Sequence, residues 1–296
     1  LKILLTGATG FIGANFLRQA LARGHQVAAL ATPGKNTTLD LPNGENLIWL
    51  RGTLGETPWR EIAAFSPEVC VHSAWITTPG VYLESPLNLQ FLKDSLNFLK
   101  QAREAGASQI IALGTCIEYQ IGREILSEDR TPIAPATLYA RCKNDLRMAL
   151  EAAAADKFAL AWARVFYPYG PGEHPSRLCG SIIQKLSRDE KIVLKAPDST
   201  KDYIYIDDLG AALLAVAEKK YSGAINLGTG VGITVREIAR TLARLMGKPD
   251  LVSEMNPPET DPLGYVVADA SRLLGLGWRP KFSLERGLEM LVRKHF

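Results

Sequence analysis

Residues 2–13 read Lys2-Ile3-Leu4-Leu5-Thr6-Gly7-Ala8-Thr9-Gly10-Phe11-Ile12-Gly13. The apolar run predicts a buried strand, broken at Gly7, and the apolar spacing over 11–21 predicts a helix. Strand, glycine turn and helix is the setting a dinucleotide pyrophosphate needs. Gly7 permits the tight turn. Gly10 keeps no side chain between the main chain and a phosphate. Gly13 lets the helix pack close to the strand. The helix start then offers free N–H groups to the anion. The spacing is G-x-x-G-x-x-G, which a turn without a nucleotide can share, so the rest of the chain has to decide.

Outward from that turn, strand-like runs at 26–31, 47–50, 69–72, 110–113 and 160–165 alternate with helical patterns at 83–105 and 138–155. This alternation predicts an α/β fold, a doubly wound parallel sheet of Rossmann type. After residue 166 the texture changes, with proline and glycine clustered at 168–172. Shorter elements follow: helices near 178–186, 209–218, 235–246 and 284–292, and strands near 192–194, 203–206 and 224–227. We therefore divide the chain into a dinucleotide-binding domain, 1–165, and a smaller α/β substrate-binding portion, 166–296, interleaved through a strand or two of the main sheet.

Composition excludes several classes. The 296 residues are 47% hydrophobic and 22% charged, with a net charge of +3 and no basic block, so no nucleic-acid partner is expected. Cys70, Cys116, Cys142 and Cys179 lack paired spacing, and His25, His72, His174 and His295 lack ligand spacing. Neither a metal site nor a disulfide framework is expected. No apolar run nears the ~18–20 residues of a membrane span. The early strand leaves no room for a signal peptide, so a cytoplasmic location is expected.

Tyr139 and Lys143 lie four apart in the predicted helix 138–155 and share a face. A phenol titrates near pH 10, and a neighbouring cation favours phenolate, so the pair can form an acid/base couple. It can equally be an ordinary surface pair. Thr115 follows the strand 110–113, at the sheet edge where α/β ligands gather. Its hydroxyl can meet a carbinol or carbonyl, or merely cap the strand. His72 reads as a hydrogen-bonded core residue and Cys142 as packing. Trp75, with Thr77 beyond it, either shapes a pocket or fills the core.

Taken in order, 6–13, Val71-His72-Ser73-Ala74, 114–119, 139–143, 164–172, 201–208, 224–228, 268–271 and Leu276-Gly277-Trp278 resemble the extended short-chain dehydrogenase/reductase family, in its nucleotide-sugar epimerase/dehydratase branch. The resemblance spans nearly the whole chain. It implies hydride transfer between a nicotinamide ring and a sugar carbon. Tyr139 is then the acid/base, Lys143 holds the nicotinamide ribose and lowers the phenol pKa, and Thr115 meets the substrate hydroxyl. It implies cofactor contacts from Gly7, Gly10, Phe11, Ile12, Gly13, Thr53, Leu54, Ser73, Ala74, Lys143 and Phe166. Substrate contacts are implied for Trp75, Thr77, Cys116, Tyr167, Arg177, Leu178 and Lys201, the two cations meeting a diphosphate. It further implies a homodimer through 83–105 and 138–155.

The departures narrow the reaction. Dehydratases of the branch carry Asp-Glu directly after the catalytic Thr, and here Cys116-Ile117 cannot act as acid and base. Glu118, one step on, reads as a solvated or hydrogen-bonded carboxylate. The branch's usual Asn on the long helix is Phe91 or Asn88, and the Asn after the sixth strand is Tyr167. NAD enzymes place a carboxylate at the end of the second strand, where this chain has Ala31. Thr32 and Lys35 can instead meet a 2′-phosphate, so NADP is expected ahead of NAD. A ketoreductase acting on a nucleotide-linked keto-sugar, such as a 4-keto-6-deoxyhexose, follows. An NAD-dependent 4-epimerase, a reductase of small carbonyls and a non-catalytic dinucleotide-binding regulator are the competing readings.

Overall fold

The computed structural model describes residues 1–34, 41–155 and 157–295. β1 (Lys2–Thr6) leads through the glycine turn into α1 (Phe11–Ala22). Then follow β2 (Gln26–Ala31), β3 (Leu47–Arg51), α2 (Trp59–Phe65), β4 (Val69–His72), α3 (Leu87–Glu104), β5 (Gln109–Thr115), α4 (Leu138–Ala154) and β6 (Ala159–Val165). These six strands, with β10 (below), form one seven-stranded sheet in the order β10-β6-β5-β4-β1-β2-β3, all neighbours parallel. The order reverses between β1 and β4, the switch point where doubly wound sheets bind dinucleotides.

Strand periodicity builds the two covering layers, since successive side chains point to opposite faces. Ile3, Leu5, Val69, Val71, Ile111 and Leu113 pack with Phe16 and Leu17 of α1. Their alternates Leu4, Cys70, Ile110 and Ala112 pack with Phe98 and Leu99 of α3 and Cys142 and Leu146 of α4. Each fully buried Leu, Ile or Phe contributes ~1.5–3 kcal/mol, so both layers hold the sheet firmly.

The rest of the chain supplies β7 (Tyr167–Tyr169), α5 (Leu178–Ser187), β8 (Ile192–Leu194), β9 (Thr200–Tyr205), α6 (Ile206–Glu218), β10 (Gly223–Leu227), β11 (Gly232–Thr234), α7 (Val235–Leu245), β12 (Val252–Glu254), β13 (Tyr265–Val266), α8 (Ser271–Gly275) and α9 (Leu284–His295). β9 lies at the centre of a small sheet with β11, β13 and β7, and β8 pairs with β12. β10 returns to the large sheet beside β6, and residues of α5, α6, α7 and α9 share one apolar cluster with β1, β2 and α1.

Where sequence and structure differ, local chemistry explains it. The helix expected from 83 starts at Leu87, because Pro86 disfavours helical geometry before it. The strand expected at 203–206 ends at Tyr205, and α6 begins at once with Asp207 and Asp208 in its first turn, where the helix dipole favours carboxylates. The proline-glycine cluster after 166 holds β7, which among the described residues pairs only with β9, and an outer strand tolerates Pro168. Among the described residues no helix is long and apolar enough to cross a membrane, and no cluster of His, Cys, Asp or Glu can hold a metal ion.

Candidate active site

The site stands at the carboxyl ends of β1, β4 and β5. Thr6 of β1 and His72 of β4 are in register, and the Thr6 hydroxyl lies 2.9 Å from His72 Nδ1 and accepts the Ala74 N–H at 3.2 Å. His72 Nε2 lies 2.9 Å from the Ser95 hydroxyl, and burial holds the imidazole neutral, its pKa down to about 3. This chain fastens the loop after β4 against the glycine turn. His72 is thus the hydrogen-bonded core residue the sequence implied.

The turn fits a pyrophosphate. Gly7 adopts φ +68°, and a Cβ there would lie 2.8 Å from the Ala74 nitrogen. A Cβ on Gly13 would meet the Gly7 carbonyl oxygen at 2.1 Å, so neither position accepts a side chain. Gly10 precedes α1 without any side-chain cap, so no capping side chain occupies the first turn that Phe11 and Ile12 open. The residues present therefore fit a dinucleotide. At the far end Ala31 closes β2 and Thr32 is exposed, with no carboxylate at 31–34, while Lys35 lies outside the described residues. The Thr53 hydroxyl accepts the Glu56 N–H at 3.0 Å, and Leu54 packs on the α3/α4 layer. Ser73 and Ala74 are half-buried beside Gly7, and Phe166 is buried with its N–H donating to Leu227 at 3.1 Å.

Thr137 caps α4 by accepting the Ala140 N–H at 3.2 Å, which puts Tyr139 on the first turn and Lys143 one turn on. Both are buried. The Tyr139 phenol faces the Thr115 side chain, which favours its ionised form. Lys143 Nζ donates to the Leu113 carbonyl at 2.7 Å and lies 6.0 Å from the Tyr139 ring centre. The three catalytic candidates are therefore one cluster.

Burial alters the expected electrostatics. It pushes the Tyr139 phenol well above its ordinary value, with Tyr82, Glu118 and Cys116 adding to the effect and Thr115 opposing it. The direction is the reverse of the lowering expected from Lys143. Burial also brings Lys143 down to about 7, against the opposing charge of Glu118. At neutral pH the phenol is protonated.

Aromatic rings surround the couple. Lys143 Nζ sits 3.9 Å from the Trp75 ring centre, a cation–π contact, and Trp75 Nε1 donates to Asn88 Oδ1 at 2.8 Å. Trp75 is thus both buried and part of the site, while Thr77 is exposed. Phe91 packs on Trp75 at 5.7 Å. Of the two candidates on α3, Asn88 makes the polar contacts, donating to the Tyr82 and Ser85 carbonyls as well. Tyr82, which sequence reasoning passed over, stands edge-on to Tyr139 at 4.9 Å.

The substrate candidates divide. Cys116 is buried behind Thr115, its thiol pushed up to about 12. Tyr167 packs on Tyr203 at 5.8 Å and lies within the electrostatic reach of Cys116 and Tyr82. Arg177 precedes α5, with Leu178 half-buried beside it, and its charge reaches Tyr82. Lys201 does not stand as a free cation. It is buried, 2.9 Å from Asp261, and donates to the Leu263 carbonyl. Glu118 is not solvated: it is wholly buried and ion-paired with Arg164 at 2.9 Å.

Comparison with known proteins agrees with this geometry. The sequence is 27% identical to a UDP-glucose 4-epimerase of Mycolicibacterium smegmatis, covering 99% of this chain and 97% of the relative. It is 24% identical to a dTDP-4-dehydro-6-deoxyglucose reductase of Escherichia coli, covering 98% and 96%. The crystal structure of a Thermus thermophilus UDP-glucose 4-epimerase in complex with NAD superposes with a TM-score of 0.84 at 25% identity, covering 99% of this chain and 98% of that one. The NAD dependent epimerase/dehydratase family matches residues 3–228. With the seven-stranded parallel sheet and glycine turn described above, the chain belongs to this family of extended short-chain dehydrogenases/reductases.

Proposed function

We propose that the protein is an NADPH-dependent reductase of a nucleotide-linked keto-sugar. The observation that carries this reading is the meeting of Tyr139, Thr115 and Lys143 at the end of β5, with Cys116 and Ile117 where an eliminating enzyme needs an acid and a base. A nicotinamide cofactor supplies the hydride. Thr115 orients the carbonyl oxygen, and the protonated Tyr139 phenol gives that oxygen its proton. Lys143 supplies positive charge beside the phenol. The hydroxyl of Thr32 and the missing carboxylate at Ala31 favour the 2′-phosphate of NADP.

An NAD-dependent 4-epimerase is the second reading, favoured by the epimerase at 27% identity. One assay separates the two. The reductase reading expects NADPH oxidation with dTDP-4-keto-6-deoxyglucose and no interconversion of UDP-glucose and UDP-galactose with NAD⁺. The reverse pattern selects the epimerase. A less than threefold difference between NADPH and NADH would remove the cofactor argument.

A homodimer through α3 and α4 belongs to the same reading, since Leu87, Leu89 and Met148 are exposed on those helices. Light scattering is expected to give twice the chain mass, and a monomer mass would reject the dimer.

A further inference from the structure

The main chain leaves β5 through a 3₁₀ turn, Cys116–Glu118, and folds the Glu118 carboxylate back against it. One carboxylate oxygen accepts the Thr115 N–H at 2.8 Å. The other accepts Trp162 Nε1 and Arg164 Nε, each at 2.9 Å. The Thr115 side chain reciprocates by accepting the Glu118 N–H. Arg164 donates onward to the Tyr119 hydroxyl at 3.0 Å, and Tyr119 donates to Asn226 at 2.8 Å. Gly114 makes the approach possible, since a Cβ there would lie 2.7 Å from the carboxylate and 2.4 Å from Trp162 Nε1. All three partners of the carboxylate are donors, so both of its oxygens act here as acceptors.

We propose that Glu118 is a positioning residue for the catalytic couple: it fixes the Thr115 main chain so that the hydroxyl meets the Tyr139 phenol, and it lays a fixed negative charge behind the Lys143 ammonium. This rests on the roles assigned to Thr115, Tyr139 and Lys143 above. The charged and titratable groups facing the carboxylate are Arg164 from β6, Tyr139 and Lys143 from α4, and Cys116 and Tyr119 from its own turn. Its charge raises the proton affinity of both Lys143 and Tyr139, so removing it moves both downward. Glu118 does not touch the reacting atoms. It acts through Thr115 and through its field.

Two variants test this on cofactor-free protein, without a substrate. The Lys143 ammonium, assigned by its loss in Lys143→Met, is titrated by ¹³Cε NMR. In Glu118→Gln its midpoint is expected to fall from about 7 by roughly one unit. An unmoved midpoint overturns the proposal. In Glu118→Asp the charge stays but the oxygen draws back by one methylene from the Thr115 N–H. The Thr115 amide is then expected to exchange ~10-fold faster while the Lys143 midpoint holds. Unchanged exchange overturns the proposal, and this variant carries the test if Glu118→Gln does not fold. Both responses without turnover of any sugar nucleotide by the parent protein would reject the proposed function and leave the positioning role standing.

Discussion

Tyr139→Phe is expected to lower kcat by about 10²–10⁴-fold, the share a positioned general acid contributes. Cofactor affinity is expected to hold within about twofold, because the phenol faces Thr115 at the end of β5 and not the glycine turn. The variant removes one buried hydroxyl, so stability shifts by only ~1 kcal/mol. Stopped-flow hydride transfer and fluorescence titration with the dinucleotide measure the two quantities separately. An unchanged kcat would remove Tyr139 from the chemistry. A large loss of cofactor binding would instead make it a binding residue.

The second large effect concerns stability. Arg164→Met would leave the Glu118 carboxylate buried with no counter-ion, and breaking one side of a buried pair costs about 3–5 kcal/mol. For a chain of this size that lowers the melting temperature by roughly 10 °C. The Tyr119 hydroxyl also loses a donor, and the ring loses the guanidinium stacked 4.6 Å from its centre. Calorimetry checks the prediction. A shift below about 2 °C would show that the carboxylate finds water or a proton instead of needing the guanidinium.

How far the sequence alone reaches depends on how near a residue's partners lie along the chain. The glycine turn was legible because Gly7, Gly10 and Gly13 act within one strand-turn-helix unit, and Gln26–Ala31 and Val69–His72 have the bounds their apolar runs imply. Tyr139 and Lys143 were legible from helical spacing. Glu118 was not, because Trp162 and Arg164 reach it only when β5 and β6 pair. Lys201 looked like a free cation for the same reason: Asp261 comes to it from beyond β12. The protonation of Tyr139 and Lys143 was illegible too. It is set by burial, and burial belongs to the assembled layers.

The late return of β10 shapes how the chain is made as well as how it works. During synthesis β6 is complete at Val165, but its outer neighbour begins only at Gly223. At ~5–20 residues per second, those roughly 60 residues leave the open side of β6 unpaired for several seconds. An unpaired strand beside an apolar core invites pairing with another nascent chain. The large sheet therefore cannot be finished as its strands emerge. The portion that follows Val165 completes the half that precedes it, and a gene cut at that junction would yield neither half as a sound protein.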